Sequence, residues 1–169
     1  VRTLVLLEPA ARGISSSAQL VSALQPAMAA YRSGDREAAM DGFLRTVGGD
    51  DYRGELDRLL PAAFEAAVAE ADQFFQAEQP SVAQFSFGAD EARRITQPVL
   101  NVLGENSVPR FIEASRLVQE WFPDAEQFVL PGAGHLLMVQ NPQAMADRLT
   151  EFYARHPIGA VAGTGSKLR

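Results

Sequence analysis

Apolar residues along this chain follow two distinct rhythms. Short stretches at residues 1–7 (VRTLVLL) and 98–104 (PVLNVLG) are rich in Val and Leu, and a third at 125–130 (AEQFVL) ends in apolar residues; they close at Glu8-Pro9, Gly104 and Pro131-Gly132. The first predicts a strand buried on both faces, which belongs in a parallel sheet, and the other two predict the second and third strands. Between the first two runs the spacing changes to steps of three and four. Leu20, Val21, Leu24, Ala27, Met28 and Tyr31 predict a helix from about Ser15, stopped by Ser33-Gly34. Ala38, Ala39, Met40, Phe43 and Leu44 predict a second, capped by Asp35 and ended by Gly48-Gly49. Leu56, Leu60, Phe64 and Val68, followed by Phe74 and Phe75, predict a third and a fourth between Tyr52 and Gln79. Later, Phe111 to Phe122 reads as an amphipathic helix closed by Pro123, and a last helix runs from Pro142 to Ala154, with Pro suited to its first turn.

Strand, helix, strand, helix in this order predicts an α/β fold with parallel pairing. Residues 1–14 form a core strand and loop, 15–90 an Ala-rich helical insert without strands, and 91–157 a C-terminal α/β unit. Residues 158–169 (IGAVAGTGSKLR) have no periodicity and read as a disordered tail or translated cloning-site sequence. The beginning at Val1, with a strand already under way and no Met, reads as a cut.

Composition narrows the partners. Of 169 residues 47% are hydrophobic and 21% charged, the proportions of an ordinary globular domain. Lys+Arg 15 against Asp+Glu 21 leaves a net charge of -6, so no field is available to hold a polyphosphate, and nucleic acid is not an expected partner. The absence of cysteine excludes disulfides, thiolate metal sites and a Cys nucleophile. Neither His has a second ligand at metal spacing, and no cofactor is expected. No apolar run approaches the ~20 residues of a membrane span, and no leader pattern is visible, so a cytoplasmic protein without a membrane partner is expected.

The most informative position is His135, in a Gly-rich turn (PGAGH) directly after a strand run. Loops at the carboxyl ends of parallel strands are where α/β folds place their sites. The polar turn Glu105-Asn106-Ser107 closes the neighbouring strand. An imidazole beside such a turn is the arrangement in which an acid or amide orients a general base; the alternative is a His that only caps the next helix.

Three segments carry a resemblance: LVLLEPA at 4–10, ITQPVLNVLGENS at 95–107 and FPDAEQFVLPGAGHLLMVQNPQAMADRLTEFYARH at 122–156. Together they resemble the C-terminal portion of an α/β-hydrolase-fold enzyme, over residues 1–157. The resemblance implies a partial parallel-sheet α/β-hydrolase fold with an inserted helical cap. It makes the three strands the sixth, seventh and eighth of the family's sheet, and His135 the general base of a catalytic triad. The family's nucleophile elbow, G-x-S-x-G, has no counterpart here. Gly13-Ile14-Ser15-Ser16-Ser17 lacks the second Gly and leaves a loop, and reads as a helix N-terminal cap. The chain is thus expected to be truncated, with nucleophile and oxyanion-hole donors on a missing N-terminal half. A dimer partner is the other candidate to complete the sheet.

The acid of the triad has three candidates. Asn106 falls where relatives place Asp, and would hold an imidazole tautomer without stabilising its cation. Glu8 ends the first strand, where some haloalkane-dehalogenase-like branches carry a Glu; it is equally readable as a plain polar strand terminus. Glu105 is the third. Phe85 and Phe87, alternating in the loop-like SVAQFSFG stretch, and Leu136, beside His135, are expected to line an apolar pocket. The function implied is hydrolysis of an ester-like or other small apolar substrate. A non-catalytic binding module of the same fold is the rival, for which Asn106 at the acid position is the argument.

Overall fold

The computed structural model describes residues 2–11 and 13–157. The expectations for Val1 and for the tail 158–169 lie outside them. Among the described residues the Val/Leu runs pair into one parallel sheet of three strands in the order β1-β2-β3, with β1 Leu4–Leu7, β2 Val99–Gly104 and β3 Glu126–Leu130. Leu4 stands opposite Val99 and Leu100 opposite Glu126, so the three carboxyl ends arrive at the same rim.

The alternation of side chains along each strand decides what covers the sheet. Val5, Leu7, Leu100, Val102 and Leu130 face one side, where Met145 and Phe152 of α10 (Pro142–Arg155) cover them. Leu4, Leu6 and Val99 face the other, against Val118 and Phe122 at the end of α8 (Pro109–Trp121). β2, between its two neighbours, is buried almost throughout, whereas all four residues of β1 are only half-buried. The expectation of burial on both faces fails for β1 because it is the sheet's edge among the described residues.

The insert between β1 and β2 is helical: α1 (Ser17–Arg32), α2 (Arg36–Gly48), α3 (Tyr52–Leu59), α4 (Ala63–Ala69), a run of α5 (Ala71–Gln73), a π-helical turn (Phe74–Glu78) and α6 (Gln79–Gln84), then α7 (Ala89–Ala92). Asp35 caps α2 as expected, its Oδ1 accepting the Ala38 N–H at 2.9 Å. The serine run caps differently. Ser15 Oγ and the Ser16 N–H both donate to Glu113 of α8, at 3.0 and 3.1 Å, so a distant carboxylate serves the start of α1. The cap has a core of its own in Ala39, Met40, Tyr52, Leu56, Phe64, Ala71 and Phe75. Tyr52 is fully buried, and its hydroxyl donates to Asp41 at 2.7 Å, so the one polar atom of that ring is satisfied. No helix of the described residues is long and apolar enough to cross a membrane.

Candidate active site

Each strand ends in a residue that contributes to one cluster. Glu8 follows β1, Gly104 closes β2 with Ser107 three residues on, and His135 lies in the turn after β3. The Glu8 side chain has no solvent exposure. A carboxylate so placed is tolerable only when its oxygens are bonded, and both are. Oε1 accepts the Gly104 N–H at 2.7 Å and the Ser107 hydroxyl, while Oε2 meets His135 Nδ1 at 2.7 Å. A carboxylate only accepts, so Nδ1 carries hydrogen and Nε2 is left as the basic nitrogen.

The clamp depends on backbone as much as on side chains. Glu8 has φ 44°, the left-handed region that a residue with a Cβ enters at a cost of about 1 kcal/mol. Gly104 has no room for a Cβ, which would sit 2.5 Å from Ala133 O and 2.6 Å from Gly134 O. The turn carrying His135 therefore lies directly on the end of β2.

The imidazole is held from two further directions. Phe111, in the first turn of α8, stacks on it with centroids 3.9 Å apart and planes 7° from parallel. Gln140, at the end of α9 (Leu137–Gln140), accepts the Gly134 N–H through Oε1 and donates through Nε2 to Glu55 of α3, both at 2.7 Å. With Leu136 and Val139 packed against the cap core, this bridge ties the His135 turn to the insert. The His135 side chain keeps 30% of its surface exposed, so a reactant can reach it.

Of the residues expected at the site, the structure brings together His135 and Glu8, with Leu136 alongside. It separates the others. The Asn106 side chain is exposed, and only its backbone reaches the turn, donating to Ala133 O at 2.8 Å; the carboxylate bonded to the imidazole is that of Glu8. Glu105 Oε2 accepts the Gly132 N–H at 2.7 Å and braces the turn from outside. Phe85 is 59% exposed, and Phe87 packs on Trp121 and Phe122 at the far end of α8. Ten residues of helix, about 15 Å, lie between Phe111 and Trp121, so neither ring lines the His135 site. Both belong to the sheet's opposite rim because the loop after α6 returns there to start β2. Ser107, Phe111 and Gln140 were missed as site residues. Ser107 carries a signal in the polar turn; the other two read as ordinary helix positions.

No protein-family model matches the chain, and no curated protein does so either. Solved structures do. Carboxylesterase CesB (YbfK) from Bacillus subtilis is 24% identical with a TM-score of 0.57, over 92% of this chain and 52% of that one. A second Bacillus subtilis protein, assigned as a hydrolase, is 22% identical with a TM-score of 0.58, over 90% and 52%. The likeness is one of fold: the chain has the architecture of the C-terminal portion of an α/β-hydrolase, and it spans about half the length of the solved structures it matches.

Proposed function

We propose that this chain supplies the general base, its orienting acid and the cap of a hydrolase acting on an ester-like small molecule. The observation that carries the reading is the Glu8–His135 pair: a fully buried carboxylate, bonded 2.7 Å from Nδ1, at the carboxyl rim of a parallel sheet. In that role Nε2 takes the proton of a hydroxyl nucleophile and gives it to the leaving alcohol as the acyl intermediate forms; it then takes a proton from the water that attacks the acyl group and returns it to the nucleophile, while Glu8 stabilises the transient imidazolium. The sequence contains no G-x-S-x-G elbow. The nucleophile is therefore proposed to lie on polypeptide beyond these residues, either preceding them or on a partner. The rival binding-module reading drew on Asn106 as a weakened acid, and with Glu8 on the imidazole it loses that support.

The test is hydrolysis of p-nitrophenyl butyrate by the longer polypeptide that encodes this segment, beside the isolated chain. The longer form is expected to be active. His135→Ala and Glu8→Gln in it should lower kcat by about 10³-fold or more. Ester turnover by the isolated chain, or a His135→Ala variant of undiminished rate, would remove the reading.

A further inference from the structure

Arg110 stands in the first turn of α8, directly before the Phe111 that stacks on His135. A cation there sits at the positive end of the helix dipole, and that first turn contains no acidic residue to compensate it. The nearest carboxylate along the helix, Glu113, is engaged with Ser15 and Ser16. Among the described residues no ion pair to Arg110 exists, and its side-chain hydrogen bond is a long one, 3.3 Å, to the neutral Ser17 Oγ. The guanidinium is also partly withdrawn from water, and that burial pushes its pKa down. An unpaired, partly desolvated guanidinium invites an anion.

The surroundings state which kind. Arg110 lines a cleft of about 370 Å³ between the cap and the loop after β1, with Leu20, Val21 and Leu24 of α1 and Val82 of α6 as its apolar walls. Val21 and Val82 are 59% and 47% exposed, so the walls are bare. A second recess, of about 160 Å³, shares Arg110 and Leu20 and runs toward Ser16, whose buried Oγ has no hydrogen-bond partner among the described residues. No Asp or Glu lines either space. An apolar cleft of this size with a fork-shaped cation among its described lining residues fits a carboxylate borne on a short hydrocarbon.

We propose that Arg110 anchors such a carboxylate, and that the substrate of the hydrolase is an acid-bearing molecule whose apolar body lies between α1 and α6. The substrate part of this inference rests on the function proposed above. The anchor itself does not, because it is a binding claim about this chain.

Two arms separate them. In the first, sodium octanoate and 1-octanol are titrated into the isotope-labelled 169-residue chain and followed by amide and guanidinium NMR shifts. Octanoate should bind saturably, with shifts at Leu20, Val21, Val82 and Arg110, and about tenfold more tightly than octanol. Arg110→Gln should abolish that preference and Arg110→Lys should restore part of it. Equal binding of the two ligands, an unaltered preference in Arg110→Gln, or shifts confined to residues away from α1, α6 and Arg110 would overturn the anchor. In the second arm, the longer polypeptide is offered an ester ending in a free carboxylate and its uncharged analogue. Arg110→Gln should collapse the kcat/KM ratio between them about tenfold, through KM rather than kcat. An unchanged ratio overturns the substrate assignment. A first arm that succeeds with a longer polypeptide that hydrolyses neither ester leaves the anchor standing and removes the hydrolase reading alone.

Discussion

Glu8 occupies a position where backbone strain, burial and charge are imposed on one residue, and the neighbouring Gly104 is what makes this tolerable. The Gly104 N–H reaches Glu8 Oε1 at 2.7 Å while its Cα faces the carbonyls of Ala133 and Gly134. A methyl group at that place has backbone oxygens at 2.5 and 2.6 Å, and backbone gives way less readily than a side-chain tip. Gly104→Ala is therefore expected to push the His135 turn off the end of β2 and to destabilise the chain by about 1–3 kcal/mol. The low-field proton resonance of the His135 Nδ1–H, held by Glu8 in the parent, should broaden or vanish. A variant with parent stability and an intact low-field signal would show that the turn does not depend on this contact. At this scale the sequence revealed His135, because a Gly-rich turn after an apolar strand run places its residues at the rim. It did not decide among Glu8, Glu105 and Asn106. That choice depends on which side chain turns inward, and the determinants are a positive φ at residue 8 and two donors from residues nearly a hundred positions away. Phe85 and Phe87 misled because an alternating pair of rings in a loop reads alike whether it faces a ligand or Trp121.

Elements whose ends carry their own chemistry were legible, and those held by tertiary packing were less so. Asp35 caps α2 as its residue type predicts, and Asn141, read only for the Pro142 that follows it, caps α10. By contrast, the stretch from Tyr52 to Gln79 breaks into α3, α4, α5 and a π-helical turn. Its breaks serve packing: the turn at Phe74–Glu78 brings Phe74 edge-on to Phe43 at 4.5 Å and Phe75 onto Tyr31 at 4.7 Å. A second element-scale feature ties the final helix to the sheet. Glu126 at the start of β3 receives Arg148 and Arg155 from α10 and His156 just beyond it. Partial burial opposes ionisation of Glu126, but these donors outweigh it and hold the carboxyl down to about 2, against an ordinary 4.5. The folded form thus binds this proton less readily than the unfolded chain. The cluster's contribution is complete above about pH 4.5 and is lost as pH falls toward 2. Glu126→Gln should lower stability at neutral pH by about 0.5–1 kcal/mol, the usual range for a partly exposed ion-pair cluster. It should also flatten the acid limb between those two pH values in thermal melts. An acid limb identical to the parent's would mean that these three donors do not hold β3 to α10.

For the whole molecule the governing fact is that, among the described residues, a sheet rich in Leu and Val has an edge at β1. In a parallel ladder alternate residues point their amides toward the neighbour. Leu4 and Glu8 donate to Pro98 and Val102 of the β2 side, so the amides of Val5 and Leu7 face outward. Those outward amides and their carbonyls form a short template that another strand can extend, and the half-buried apolar side chains of β1 reward any strand that covers them. In the function proposed above, the nucleophile that would act with His135 lies on such an added strand-bearing segment. One added body that pairs with β1 would close the edge and bring polypeptide to the rim beside His135. The chain by itself is therefore expected to self-associate, with an apparent mass that rises over about a hundredfold range of concentration in light scattering. Val5→Pro removes one outward amide at little change in volume, at an edge position that accepts proline. It should reduce the association while leaving the far-ultraviolet circular dichroism unchanged. If the parent chain stays a monomer over the whole range, the β1 edge is not sticky. The completion of the sheet would then have to be sought on the β3 side, where Glu126 and its cations make a far more polar border.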